Sequence, residues 1–116
     1  MSLMIATSKG ELHEAECIVS KQHAVTTVVV AGGYPGDYKK GDVIVGCNSV
    51  KDANIFHAGT KLDGKLVVTN GGRVMALTGM SNTLERAIQK SQKAAQDILF
   101  EGKYYRKDIG LDVLRY

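Results

Sequence analysis

The sequence predicts a small α+β domain in which antiparallel strands carry one long helix. Glycine occurs 13 times in 116 residues, proline once and tryptophan never, a composition typical of repeated tight turns between short strands. Runs rich in β-branched residues fill the middle of the chain, and helical spacing replaces them after about residue 80. A chain of this length builds one hydrophobic core, so we expect one domain.

The first twenty residues fit no single period. We expect a short helix up to about Ser8, a turn at Gly10 and a strand near residues 15–19. Residues 1–3 are interpreted as an expression leader before a second methionine, which leaves residues 4–116 as the domain.

The middle of the chain predicts a series of antiparallel strands. The run Ala24–Ala31 is rich in β-branched residues and stops at two glycines. The pair Asp63-Gly64 between apolar runs is a hairpin signal. Further strands are expected at residues 42–45, 55–58, 65–68 and 73–78, with turns at 33–38 and 70–72 and a polar loop at 47–54.

One amphipathic helix is predicted over residues 83–97. Asn82 is the expected N-cap, with Glu85 at the third helical position as in a capping box. Small and apolar residues recur at helical spacing: Leu84, Ala87, Ile88, Ser91, Ala95 and Ile98. We expect this face to pack on the sheet.

Charge and cysteine content exclude several classes of protein. A formal net charge of +3, with basic residues clustered only in pairs, argues against a nucleic-acid partner. The longest unbroken apolar runs, such as Val28–Ala31, are far too short to cross a membrane. Cys17 and Cys47 lack CxxC spacing and are interpreted as reduced, semi-buried thiols of a cytoplasmic protein.

No metal or nucleophilic site is predicted. His13 and Cys17 are four residues apart, but no second pair completes a tetrahedral metal site. Nothing local marks either cysteine as activated by His57. The glycine-rich stretch at 32–36 lacks the Gly-Lys-Ser/Thr ending of a phosphate-binding P-loop and favours a structural turn.

For a few residues the sequence does not decide between a role in ligand binding and a purely structural role. Arg73 follows two glycines, which would let a ligand approach while the guanidinium binds phosphate or carboxylate; the alternative is a surface arginine after a turn. His57 is a candidate base or a half-buried histidine. Arg106 and Lys107 are ligand contacts or a solvated tail, although Ile109 and the glycine after it predict that the tail folds back.

Four blocks in order carry a resemblance that no single block carries. They are Gly33-Tyr34-Pro35-Gly36, Phe56-His57-Ala58-Gly59-Thr60, Gly71-Gly72-Arg73-Val74 and Tyr105-Arg106-Lys107-Asp108-Ile109-Gly110. In this series the chain resembles, from about residue 10 onward, the C-terminal domains of the phosphoribosylamine–glycine ligase family.

The resemblance implies an ATP-grasp ligase of purine biosynthesis. Such an enzyme activates glycine as an acyl phosphate with ATP and Mg²⁺ (or Mn²⁺), and the amine of 5-phosphoribosylamine then attacks to give glycinamide ribonucleotide. The implied domain fold is a small antiparallel, barrel-sandwich-like β structure of the rudiment single hybrid motif type, with a long amphipathic helix packed on it. The domain is expected to pack across the active site and complete it with loops.

The resemblance also implies roles for particular residues. The candidate substrate-binding residues are Arg73, Arg106, Lys107 and His57, and the candidate active-site wall loop is Gly33, Tyr34, Pro35 and Gly36. No catalytic or metal-binding residue is expected within this chain. ATP and the metal ion would bind to upstream ATP-grasp domains of the same polypeptide, its expected partners, so the chain by itself is expected to be inactive.

Three alternatives stay open from the sequence. The chain could be the C-terminal domain of another ATP-grasp enzyme, of the carboxylase type. It could be a freestanding binding module, although Lys65, the nearest hairpin lysine, lacks the surroundings of a biotinyl or lipoyl carrier. It could also brace its parent enzyme without touching substrate.

Overall fold

Two antiparallel sheets and two helices form the protein, as a computed structural model of residues 1–115 shows. The predicted α+β class is therefore confirmed. The helices are α1 (Ser2–Lys9) and α2 (Leu84–Asp97), and the strands are β1 (His23–Val30), β2 (Ala53–His57), β3 (Thr60–Asp63), β4 (Leu66–Thr69) and β5 (Arg73–Ser81). Neither helix is long and apolar enough to cross a membrane, within the residues described.

The main sheet has three strands in the order β1-β5-β2, and β3 and β4 form a separate hairpin. All pairings are antiparallel, as the sequence predicts. The register of β1 and β5 shifts at one point: Val29 pairs with Met75, whereas Val30 pairs with Arg73. Val74 is thus an extra residue on β5, and such a bulge redirects the side chains beside it.

Helix α2 covers one face of the three-stranded sheet. Residues Val25, Thr27 and Val29 of β1 are buried beneath it, while the intervening Thr26 and Val28 are exposed on the other face. This alternation follows from the two-residue period of a strand. The main core contains Val29, Ala31, Ile44, Val74, Met75, Leu77, Ala94, Ala95 and Ile98.

A polar contact lies in the middle of this helix–sheet interface. The fully buried Ser91 Oγ lies 2.9 Å from the Leu77 carbonyl oxygen and 2.7 Å from Thr27 Oγ1. Ser91 is the donor in both contacts, so its one hydroxyl proton is shared between the Leu77 carbonyl and Thr27 Oγ1. Both buried hydroxyls are thereby satisfied, which removes the cost of burying them.

The structure corrects three local predictions. Residues 15–19 form no strand; Ile18 and Val19 are 84% and 80% exposed and have no partner strand. Residues 42–45 make only isolated bridges, Val43 to Val68 and Val45 to Leu99. Because the first partner lies in β4 and the second lies after α2, neither pairing continues into a strand. The N-cap of α2 is Thr83 instead of Asn82, since the Thr83 side chain accepts from the Arg86 backbone N–H.

The strands do not close into a barrel within residues 1–115. The three-stranded sheet and the β3–β4 hairpin remain separate, and the isolated bridges of residues 42–45 connect β4 to the chain after α2. The barrel-sandwich likeness therefore holds for the layered antiparallel arrangement and not for a closed cylinder.

Candidate functional site

A cleft of about 310 Å³ lies where the outer face of β1 meets the C-terminal segment. Its apolar part contains Val28, Val30 and Ile109, and its walls include three tyrosines and two arginines: Tyr34, Tyr104, Tyr105, Arg73 and Arg106. Tyr34, Arg73 and Arg106 come from three distant parts of the sequence and were each singled out as site candidates. The fold brings these three together.

Arg73 stands at the start of β5, beside the bulge. Its backbone carbonyl accepts a hydrogen bond from Gly59 N at 2.8 Å, which ties the strand start to the β2–β3 turn. Its exposed guanidinium makes no ion pair or hydrogen bond with the residues the structure describes. A planar fork of donors is therefore available at the cleft for a phosphate or carboxylate.

The turn at residues 32–37 places Tyr34 in the cleft wall. Gly33 has a φ of +91°, and a β-carbon there would collide with the Asp37 carbonyl oxygen, so the turn requires glycine. The Tyr34–Pro35 peptide bond is cis. Tyr34 lines the cleft, whereas Gly33, Pro35 and Gly36 form the turn without lining it.

The C-terminal segment folds back onto β1, as predicted. Val30 N donates to the Tyr104 carbonyl at 2.9 Å, and Tyr104 N donates back to Val30 at 3.1 Å. Ile109 packs on the small cluster of Val25, Ala87 and Ile88. These contacts hold the segment on both sides of Arg106.

Arg106 is bound by Asp108, a residue that sequence reasoning did not single out. The Nε donates to Oδ1 at 3.0 Å and Nη2 donates to Oδ2 at 2.7 Å, a bidentate pair. The hydrogen bond from Arg106 lowers the pKa of Asp108, and the same bond raises the pKa of Arg106. Since this pair is formally neutral, the net positive charge of the cleft rim comes from Arg73.

His57 and Lys107 lie outside the cleft. His57 Nδ1 is 3.0 Å from Thr60 Oγ1, so the exposed imidazole at the end of β2 contacts the first residue of β3. Lys107 is exposed beside the Arg106–Asp108 pair. Neither of these two candidates therefore belongs to the lining that contains Arg73 and Arg106.

The cysteines and histidines do not converge in the described part of the chain. Both cysteines are free; Cys47 is half-buried, and burial raises the pKa of its thiol. Cys17 is exposed, so the prediction of a semi-buried thiol was wrong there, because residues 15–22 pack against no strand. Residues 1–115 contain no group of three or more His, Cys, Asp or Glu side chains positioned to hold a metal ion.

A second groove, of about 320 Å³, runs between residues 49–53 and α2. Two of its three lysines are already engaged: Lys93 Nζ is 3.1 Å from Asp97, and Lys90 Nζ donates to the Met80 carbonyl at 3.0 Å. The third, Lys51, shares the lining with the carboxylates of Asp52 and Asp97. The groove contains none of the predicted site residues. The cleft at Arg73 is therefore the better candidate for binding an anion.

Comparisons with known proteins agree with the four-block resemblance. The family model described as "Phosphoribosylglycinamide synthetase, C domain" matches residues 24–112. A phosphoribosylamine–glycine ligase of Yersinia pestis is 44% identical over 95% of this chain and 26% of its own length. One from Synechocystis is 48% identical over 76% of this chain and 22% of its own length.

A solved structure supports the same relationship. The crystal structure of phosphoribosylamine–glycine ligase from Thermotoga maritima matches with a TM-score of 0.76 and 32% identity, over 91% of this chain and 27% of that one. The chain thus spans about a quarter of the length of the relatives it matches. The family match covers 89 of 116 residues, from β1 through α2 to the C-terminal segment, so this chain belongs to the phosphoribosylglycinamide synthetase C-domain family.

Proposed function

We propose that this chain acts as the C-terminal domain of a phosphoribosylamine–glycine ligase. The enzyme joins glycine to 5-phosphoribosylamine, with hydrolysis of ATP to ADP and phosphate, and yields glycinamide ribonucleotide for purine biosynthesis. One observation carries the proposal: every residue lining the cleft, from Thr26 to Ile109, falls within the matched range 24–112.

The cleft has the chemistry to contact an anionic substrate. Arg73 offers parallel N–H donors of the kind that bind phosphate in a bidentate manner, and its side chain is not neutralised by a described carboxylate. The other side of the cleft is an apolar floor with tyrosine walls, and less polar surroundings strengthen a charged contact. We assign the phosphate of phosphoribosylamine to Arg73, with Arg106 as the second contact.

ATP and Mg²⁺ (or Mn²⁺) are assigned to upstream ATP-grasp domains of the same polypeptide. The relatives are about four times as long as the part that matches this chain, and Mg²⁺ prefers carboxylate oxygens. The cleft lining contains no Asp or Glu. In this proposal the chain contributes a substrate-contacting wall and no catalytic residue, and it is inactive by itself.

The test is ADP release in the presence of ATP, Mg²⁺, glycine and phosphoribosylamine. The chain is assayed alone, then mixed with a separately expressed ATP-grasp portion of such a ligase, with that portion alone as the control. The proposal expects ADP release only from the mixture. Turnover by the 116-residue chain alone would refute it.

A further inference from the structure

Gln92 of α2 joins the buried interface to the rim of the cleft. Its side-chain nitrogen lies 3.2 Å from the Arg106 carbonyl oxygen and 3.4 Å from Thr27 Oγ1. A carbonyl only accepts, so the –NH₂ side of the amide must face Arg106, and its two N–H groups suffice for both contacts. Thr27 is fully buried and is itself bound to Ser91, so Gln92 connects Arg106 to a fixed point.

The Arg106 carbonyl accepts from a side chain because the backbone pairing between β1 and the C-terminal segment stops after Val30 and Tyr104. Val30 and Tyr104 form an isolated bridge that does not continue along β1. The next antiparallel pair would place Arg106 opposite Val28, and no ladder is formed there. The amide of Gln92 therefore satisfies a carbonyl that the sheet leaves without a strand partner.

Gln92 provides the contact from outside the segment that lies at Arg106 itself. The ion pair of Arg106 joins it to Asp108, only two residues away in the same C-terminal segment. The pair can therefore move together with that segment. Tyr104 and Ile109 hold the segment two and three residues away. Gln92 contacts the backbone of Arg106 itself, and a fixed backbone limits the positions that the guanidinium can reach.

We infer that Gln92 is a positioning residue, which holds Arg106 at the cleft so that its guanidinium meets the substrate anion. The inference rests on the proposed function for the identity of that anion. Gln92 lies on α2, on the far side of β1 from the cleft, and does not contact the substrate. Its effect on substrate binding is exerted only through Arg106.

The first test measures the order of Arg106 in the 116-residue chain by NMR. Gln92→Met keeps the length and apolar stem of the side chain and removes its donors, and Gln96→Met is the matched control on an exposed position one turn further along α2. The {¹H}–¹⁵N NOE of Arg106 Nε should fall in Q92M and stay at the wild-type value in Q96M. An unchanged Arg106 NOE in a folded Q92M chain would overturn the inference.

The second test measures kinetics in the complete ligase carrying this domain. Q92M should raise the KM for phosphoribosylamine about threefold to tenfold, the range for one hydrogen bond, with kcat unchanged. In an Arg106→Ala background Q92M should add nothing, and an equal further rise in KM there would overturn the inference. If Arg106→Ala alone left KM unchanged, the assignment of Arg106 as the second substrate contact would fail, and the NMR result would still decide whether Gln92 holds Arg106.

Discussion

The ring of Tyr34 lies directly on Gly72, so that a β-carbon at residue 72 would overlap the ring carbons Cδ2 and Cε2. Gly72 is buried and immediately precedes Arg73. The backbone N–H of Ala31 also donates to the Gly72 carbonyl at 2.8 Å. The turn that carries Tyr34 is thereby joined to the start of β5. This contact brings Tyr34 and Arg73 together in the lining of the cleft.

Replacing Gly72 with alanine should displace the Tyr34 ring. We expect a loss of about 1–3 kcal/mol in the free energy of unfolding, the usual cost of inserting a methyl group into a packed site. Urea unfolding followed by circular dichroism measures it. Gly64→Asn is the control, because a β-carbon at Gly64 meets nothing within 4 Å and asparagine tolerates its φ of +59°. Full stability of G72A, with the Tyr34 ring signals unmoved, would contradict the packing described.

Lys103 should stabilise the end of α2. Its Nζ donates to the carbonyl oxygens of Ala95 at 2.7 Å and Ile98 at 2.6 Å, groups that the helix leaves without partners. Lys103→Met should lower the free energy of unfolding by about 1.5–3 kcal/mol, as expected for hydrogen bonds from a charged group. Lys93→Met is the control: it removes an exposed i,i+4 ion pair and should cost below about 1 kcal/mol. Equal losses would show that the carbonyl contacts stabilise the protein no more than an exposed ion pair does.

Asp108 should titrate below the ordinary pKa of 3.8, because Arg106 stabilises its carboxylate. The folded pKa lies below the unfolded one, so the ion pair stabilises the fold above pH 3.8 and this contribution is lost as pH falls through the folded pKa. NMR of the Asp108 carboxyl carbon against pH measures the midpoint. Arg106→Ala should move it up towards 3.8, and Lys107→Ala should move it less. A midpoint unaffected by Arg106→Ala would contradict the bidentate pair.

Local sequence signals predicted most of the fold. The β-branched run before Gly32 became β1, Asp63-Gly64 joined β3 to β4, and the helical spacing after residue 83 became α2. The failures occurred where local signals are ambiguous or partners are distant. The apolar residues at 17–19 have β propensity but no strand to pair with, and residues 42–45 alternate between two partner segments, which no sequence window reveals.

The sequence predicted individual site residues better than it predicted which of them lie together. Arg73 and Arg106 were recognised as candidates, but their shared cleft depends on contacts between segments more than 30 residues apart. His57 looked equivalent in sequence and lies elsewhere, against Thr60. Asp108 stood two residues from Arg106 in a recognised block, and that spacing was the available signal for the ion pair.

The most direct test of the central claim is the affinity of the ligase for phosphoribosylamine after Arg73→Ala. Arg86→Ala is the matched control, because Arg86 is also exposed and lies on α2, away from the cleft. We expect R73A to lose about 1.5–3 kcal/mol of substrate binding, the value of one charge-assisted contact, chiefly as a higher KM, and R86A to behave as wild type. A change below about 0.5 kcal/mol in R73A, the size of an ordinary surface substitution, would contradict the account, since Arg73 would then be a structural residue and not a substrate contact.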